Sequence, residues 1–202
     1  MILNFAVNIN DYNEKISAFY GIWDFCCPCC NAFRSFSRHA FYTRNICILS
    51  SSQIIEKKLN ILRLICNSCG TTHAILPADT IPYAIYSFSC VLQLLTNHFV
   101  RKQSILSLCE QFKVSFQLLY IFIKRFTEHF IPCINFLRIF SSSQLDFNSS
   151  FKDVLPFINT HFNSTYFQLE FLNHMKFIFL MTKSQNILSR HILIGLHFKP
   201  PT

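Results

Sequence analysis

Apolar and polar positions change rhythm along this chain, and the changes mark its elements. Residues 1–24 scatter Phe5, Val7, Ile16, Phe19, Tyr20, Ile22 and Trp23 without a regular period and are expected only as a lead-in. From Phe33 to Leu49, aromatic and basic residues (Arg34, Phe36, Arg38, His39, Phe41, Tyr42, Arg44) partly alternate, which predicts a hairpin closed off by the Ser50-Ser51-Ser52 loop. Leu59–Ile65 alternates loosely, and Thr72–Leu76 forms another short strand that Pro77 ends, because proline cannot donate to a ladder.

After Pro82-Tyr83-Ala84-Ile85-Tyr86-Ser87 the period becomes helical, first over Phe88–Phe99 and then over Ser104–Phe126. Ser104 is placed to cap a helix containing Ile105, Leu108, Cys109 and Phe112; Lys113-Val114 makes a turn; Ser115 caps a second helix, Phe116–Glu128. Leu119, Phe122, Ile123 and Phe126 share one face of that second helix. This spacing fits a helix-turn-helix, whose second helix enters the major groove, and it fits a structural helical hairpin as well. Two positions depart from a DNA reader. Lys113 stands where the turn commonly has glycine, and Phe116 and Leu118 flank Gln117 where polar base-reading side chains are expected.

Beyond Ile131-Pro132-Cys133 the apolar run Phe136, Leu137, Ile139, Phe140 ends in a serine- and asparagine-rich stretch, so a boundary is expected near 141–150. The tail to Thr202 mixes apolar runs with Asn, Ser, His and Lys, and neither it nor His161, His174, His191 and His197 suggests a chemistry.

The chemistry-bearing stretch is Cys66–Pro77. Two thiols three positions apart, followed by Gly70 for the positive-φ turn, form half of a tetrahedral thiolate site. Its mate lies in Cys26-Cys27-Pro28-Cys29-Cys30. Cys27/Cys30 is preferred because it copies the Cys-Pro-x-Cys form and has Asn31 at the position equivalent to Gly70; Cys26/Cys29 has the same spacing and stays open. The interval between the hooks is longer than the roughly 15–20 residues usual for such sites. His39 and His73 lie near, but four thiolates already complete the coordination of a structural Zn2+, so both are expected as ordinary strand or turn residues.

Composition adjusts this picture in three ways. The net charge of +8 suits an anionic partner, DNA or a membrane surface. The window Ile81–Val100 has no charged residue, yet Pro82, Gln93, Asn97 and His98 argue against a membrane span. The first residues lack the basic start and apolar run of a secretory signal, so the ten cysteines are expected in a reducing, cytoplasmic setting, with Cys47, Cys90, Cys109 and Cys133 as buried small hydrophobes. With 24 Phe, an apolar residue signals burial less sharply than usual.

The run CNSCGTTHAILPADTIPYAIYS, Cys66 to Ser87, resembles an uncharacterised bacterial family of zinc-ribbon domains found near insertion sequences and transposases. In that family a Cys-Pro-x-Cys hook, a Cys-x-x-Cys-Gly hook followed by Thr-His-Ala and Leu-Pro, and a Pro-Tyr-x-x-Tyr-Ser run precede a helix-turn-helix, an order repeated here from Cys27 to Phe126. The resemblance covers about residues 25–130 and implies a transposon-associated DNA-binding protein with Cys27, Cys30, Cys66 and Cys69 as zinc ligands.

The expectation is therefore an α+β protein: a small zinc-ribbon β module at 25–80, a mainly helical region at 81–140 with the helix-turn-helix at about 104–128, and a segment of unassigned role at 141–202. Arg34, Arg38, Arg44, Arg63, Lys113, Lys124 and Arg125 are the expected phosphate contacts and Gln117 a base contact. Asp79, Glu110, Glu128, Asp146, Asp153 and Glu170 follow no catalytic arrangement and no glycine-rich phosphate loop exists, so an enzyme is not expected. The competing expectation is an interaction module whose Phe-rich helical surface docks a transposase or a second copy.

Overall fold

The computed structural model describes residues 2–5, 7–18, 23–141, 149–181 and 195–196. It is a mixed α+β arrangement in which a sheet and its cysteine knuckles stand at one end and helices pack around a central one at the other.

Strand β2 (Phe36–Ser50) and strand β3 (Gln53–Cys66) form one long antiparallel hairpin turning at Ser51-Ser52, both at positive φ. The hairpin expected within 33–49 is thus corrected: that stretch is a single strand, and its partner is the chain after the serine loop. Local alternation cannot distinguish two short strands from one long strand when residues 37–43 are exposed on both faces. The pairing of Phe36 with Cys66 brings the two hooks together, so the hairpin accounts for the long interval between them.

Strand β4 (Thr72–Pro77) pairs antiparallel with β3 through Arg63–Ile65, and strand β1 (Ile2–Phe5) runs parallel to β4. Strand β5 (Gly195–Leu196) pairs parallel with β1, giving the order β2-β3-β4-β1-β5. The first residues are therefore more than a lead-in. Helix α1 (Tyr12–Ala18) seals the place where β3 and β4 part: the Tyr12 hydroxyl accepts from the Leu62 N–H at 3.4 Å and donates to the Ile75 carbonyl. The amide of Asn13 donates to the Lys58 carbonyl at 3.0 Å and accepts from the Asn60 N–H at 2.9 Å, as a neighbouring strand would.

Helix α2 (Phe88–Phe99) starts at Ser87, whose hydroxyl accepts from the Cys90 N–H, and Asp79 binds the N–H and hydroxyl of Ser89. It is buried nearly all round because it packs against β2, against helices α3 (Ile105–Phe112) and α4 (Phe116–Glu128), and against α6 (Phe151–His161) and α7 (Ser164–Met175). The uncharged window at 81–100 is thus a core helix and its lead-in. No helix among the described residues is long and apolar enough to cross a membrane.

Ser104 and Ser115 cap α3 and α4 as expected, accepting from the N–H groups of Ser107 and Leu118. Between them Lys113 takes the left-handed conformation at φ 55° and Val114 is buried. Helix α5 (Phe130–Ser141) then packs on α7. The boundary expected near 141–150, together with Asp146, His191 and His197, falls wholly or largely outside the described residues. Part of the tail has a structural role: α6 and α7 close the helical core, where Phe88 stacks on Phe167 at 5.3 Å and Phe179 meets Phe88, Phe126 and Phe171 edge-on. Such ring pairs add to area burial, which is the use this fold makes of many of its phenylalanines.

Candidate metal centre

Two loops of the same construction face each other. In the first, the Cys27 N–H donates to the Ala32 carbonyl and the Asn31 N–H to the Cys27 carbonyl; in the second, Cys66 donates to Thr71 and Gly70 to Cys66. Asn31 and Gly70 hold the positive φ these turns demand, 58° and 70°. The first knuckle is closed at its base by the isolated bridge between Cys26 and Phe33, just before β2, and the second sits between β3 and β4.

The sulfurs of Cys27, Cys30, Cys66 and Cys69 all lie within 4.8 Å of one another. The Cys27–Cys69 and Cys30–Cys66 separations are both 3.7 Å. A tetrahedral tetrathiolate site with metal–sulfur bonds of about 2.3 Å requires sulfurs about 3.8 Å apart, so these residues fit one metal ion. Cys26 and Cys29 stand outside the cluster, which decides between the two registers of the first hook.

Cys27 and Cys66 are buried while Cys30 and Cys69 face solvent, so an ion here has one sheltered and one open side. Burial pushes the Cys27 thiol up to about 12, whereas the Thr71 hydroxyl and N–H pull Cys69 down to about 6. An incoming cation therefore has to displace a firmly held proton from Cys27, and binding releases protons.

His73 is the residue sequence reasoning undervalued. Its Nε2 lies 3.6 Å from the Cys27 sulfur, its ring meets Phe36 edge-on at 5.6 Å, and it is fully buried. Its Nδ1 has no partner among the described residues, and burial pulls the imidazole down to about 4, so the ring is neutral. A proton on Nε2 points at the sulfur and leaves Nδ1 as a bare acceptor. His39 by contrast is exposed, at the bulge in β2.

The expected nucleic-acid contacts divide into three groups. Arg44 donates to the Ile81 and Ala84 carbonyls, and Arg125 donates to the Leu180 carbonyl at 3.3 Å with its Nε buried; burial lowers the pKa of both guanidiniums. Both are turned into the fold. Arg34 forms a two-point pair with Asp24 at 3.0 Å, Arg38 reaches the Ile16 carbonyl at 3.4 Å, and Arg63 meets the Thr72 hydroxyl at 3.0 Å. Lys113, Gln117 and Lys124 are exposed along the turn and the outer face of α4, beside the stacked rings of Phe116 and Tyr120. These three lie on the α3–α4 turn and on α4, whereas Arg34, Arg38 and Arg63 lie on the first knuckle, β2 and β3.

Residues 27–107 match a family described as a domain of unknown function, DUF6431. That stretch runs from the first hook through both knuckles and the hairpin into α3, so the four-cysteine cluster falls inside it. No curated protein and no solved structure matches the chain.

Proposed function

We propose that this chain is a non-catalytic DNA-binding protein whose cysteine knuckles hold one structural Zn2+. The observation that carries the reading is charge. From Asp24 to Ala78 the chain holds Arg34, Arg38, Arg44, Lys57, Lys58 and Arg63 against two carboxylates, Glu56 and the Asp24 that pairs with Arg34. A divalent ion with four thiolates carries two net negative charges, which this excess still outweighs. Zinc suits a closed four-sulfur tetrahedron, and such a site leaves no coordination position for substrate, so the ion holds the scaffold and the side chains around it do the binding.

The resemblance of the run from Cys27 to Phe126 to zinc-ribbon domains found near transposases implies a transposon-associated setting, with a transposase as a protein partner. Gel-shift binding to duplex and heat-denatured DNA across a salt series tests the reading. Affinity for at least one form should fall steeply as salt rises. Absence of binding to both at low salt overturns it.

A second reading has its own observation. Leu106, Phe116, Tyr120 and Ile121 are exposed on α3 and α4, where a groove-reading helix is polar. Under this reading the helical pair docks a protein, and Phe116→Ser with Ile121→Ser abolishes association while Lys124→Ala leaves it intact. The DNA reading expects binding to weaken on Lys124→Ala.

A further inference from the structure

Residues 37–43 of β2 are exposed at the edge of the sheet. Edge strands are ordinarily short, covered or charged, and at its other end this one is covered: Cys47 exchanges hydrogen bonds with Ile85 and Ser87. Near the knuckles the strand instead presents rings. Phe41 is 48% exposed and Tyr42 40% exposed, while Phe33, beside the first knuckle, is 56% exposed with the Arg34 guanidinium 5.0 Å from its ring centre. The cross-strand register puts Tyr42 on the same face as Ala40 and Arg63, and Phe41 on the same face as Arg38.

Three observations choose the occupant. No carboxylate occurs between Asp24 and Glu56, so along residues 37–43 an acidic ligand meets no carboxylate of this stretch, the negative charge of a loaded four-thiolate site lying at the knuckle end. The register shift between Arg38 and Ala40 breaks the even spacing that another β-strand would need to pair here. Rings exposed to this extent gain by stacking on flat faces, and nucleic-acid bases offer those faces only when unpaired, since in a duplex they are stacked on one another.

We propose that the β2 edge and the first knuckle bind single-stranded nucleic acid that straddles the edge, with Phe33, Phe41 and Tyr42 stacking on bases, Arg38 meeting phosphate on the Phe41 face and Arg63 on the Tyr42 face. The inference rests on the nucleic-acid reading above and adds the surface and the form of the ligand. A strand crossing residues 37–43 runs over about 20 Å of edge at about 3.3 Å per residue, room for a few nucleotides.

The test measures anisotropy of fluorescein-labelled oligothymidylate and of a hairpin duplex of equal length, with the metal-loaded full chain. Oligothymidylate should bind more tightly, and Phe41→Leu and Tyr42→Leu should each weaken it roughly 5-fold or more with metal content unchanged. Duplex bound as tightly as the single strand, or single-strand affinity indifferent to both substitutions, overturns the inference and leaves the DNA reading standing. Binding to neither probe at low salt sinks both. Ultraviolet cross-linking of the unmodified protein to oligothymidylate removes dependence on variant folding: adducts on Phe33, Phe41 or Tyr42 support the surface, and adducts confined to Phe116 and Tyr120 overturn it.

Discussion

Nε2 of His73 stands 3.6 Å from the sulfur of Cys27, both side chains being fully buried, at the sheltered end of the four-cysteine cluster. A thiolate there has lost its hydration, and a ring proton on Nε2 would supply a neutral donor in its place. Outer-shell partners of this kind typically contribute 10- to 100-fold in metal affinity. His73→Ala should therefore speed transfer of the bound ion to a competing chelator by about that range. A transfer rate equal to wild type would show that His73 only fills space beside Phe36.

A second histidine links the two ends of the helical core. The Leu180 N–H donates to Nδ1 of His129 at 2.8 Å, while Arg125 donates to the Leu180 carbonyl, so one residue is held through both of its backbone polar groups. Burial pulls the His129 pKa below its ordinary value, and the nearby Arg125 charge adds to this while Glu128 opposes it. The fold needs the neutral ring. Its contribution is full above the unfolded value of about 6.5 and is lost as pH falls through the lower folded value. Burial likewise lowers His73, to about 4. The urea midpoint of wild type should drop between pH 7 and 5 more than that of His129→Gln; parallel profiles would contradict this.

Tyr12 makes the fold of the sheet depend on α1. Tyr12→Phe keeps the ring and removes the hydroxyl that satisfies the Leu62 N–H and the Ile75 carbonyl. Leaving buried polar groups unpaired costs about 1–3 kcal/mol, to be read from the shift in urea midpoint. An unchanged midpoint would mean that water reaches both groups.

Arg34 is bound to Asp24 through two hydrogen bonds at 3.0 Å, on the surface. The Arg34 side chain holds the Asp24 carboxyl below its usual range, and the pair cancels one charge beside the first knuckle. Asp24→Asn should free that cation. The slope of log affinity against log salt for single-stranded DNA should then steepen by about 0.7, the value for one added phosphate contact. An unaltered slope would place Arg34 outside the binding surface.

What could be read from sequence was what short-range chemistry decides. Ser104 and Ser115 cap their helices through N–H groups three residues on, and the Cys27 and Cys66 hooks close within five residues, so composition and spacing carry that information. What could not be read depends on distant partners. The pairing of Ile2–Phe5 with Ala74–Pro77 leaves no local trace, because a parallel neighbour gives no turn signal. Arg44 and Arg125 read as surface cations, yet packing brings backbone carbonyls of Ile81, Ala84 and Leu180 to them, and burying their stems turns the charge inward. His73 belongs to the same class: its sulfur partner is 46 positions away. The exposed run at 37–43 was obscured by its own aromatic content, which imitates a core strand while lying at an edge.

The most direct test of the whole account is the metal content and fold of the purified full chain beside Cys66→Ser. Cys66 is buried in the cluster and begins the second knuckle. The wild type should carry about one zinc per chain, and the variant should lose it together with the strand signal in circular dichroism, since such sites supply on the order of 10 kcal/mol of folding free energy. A wild-type protein that is metal-free and fully folded after purification without chelator would contradict the account.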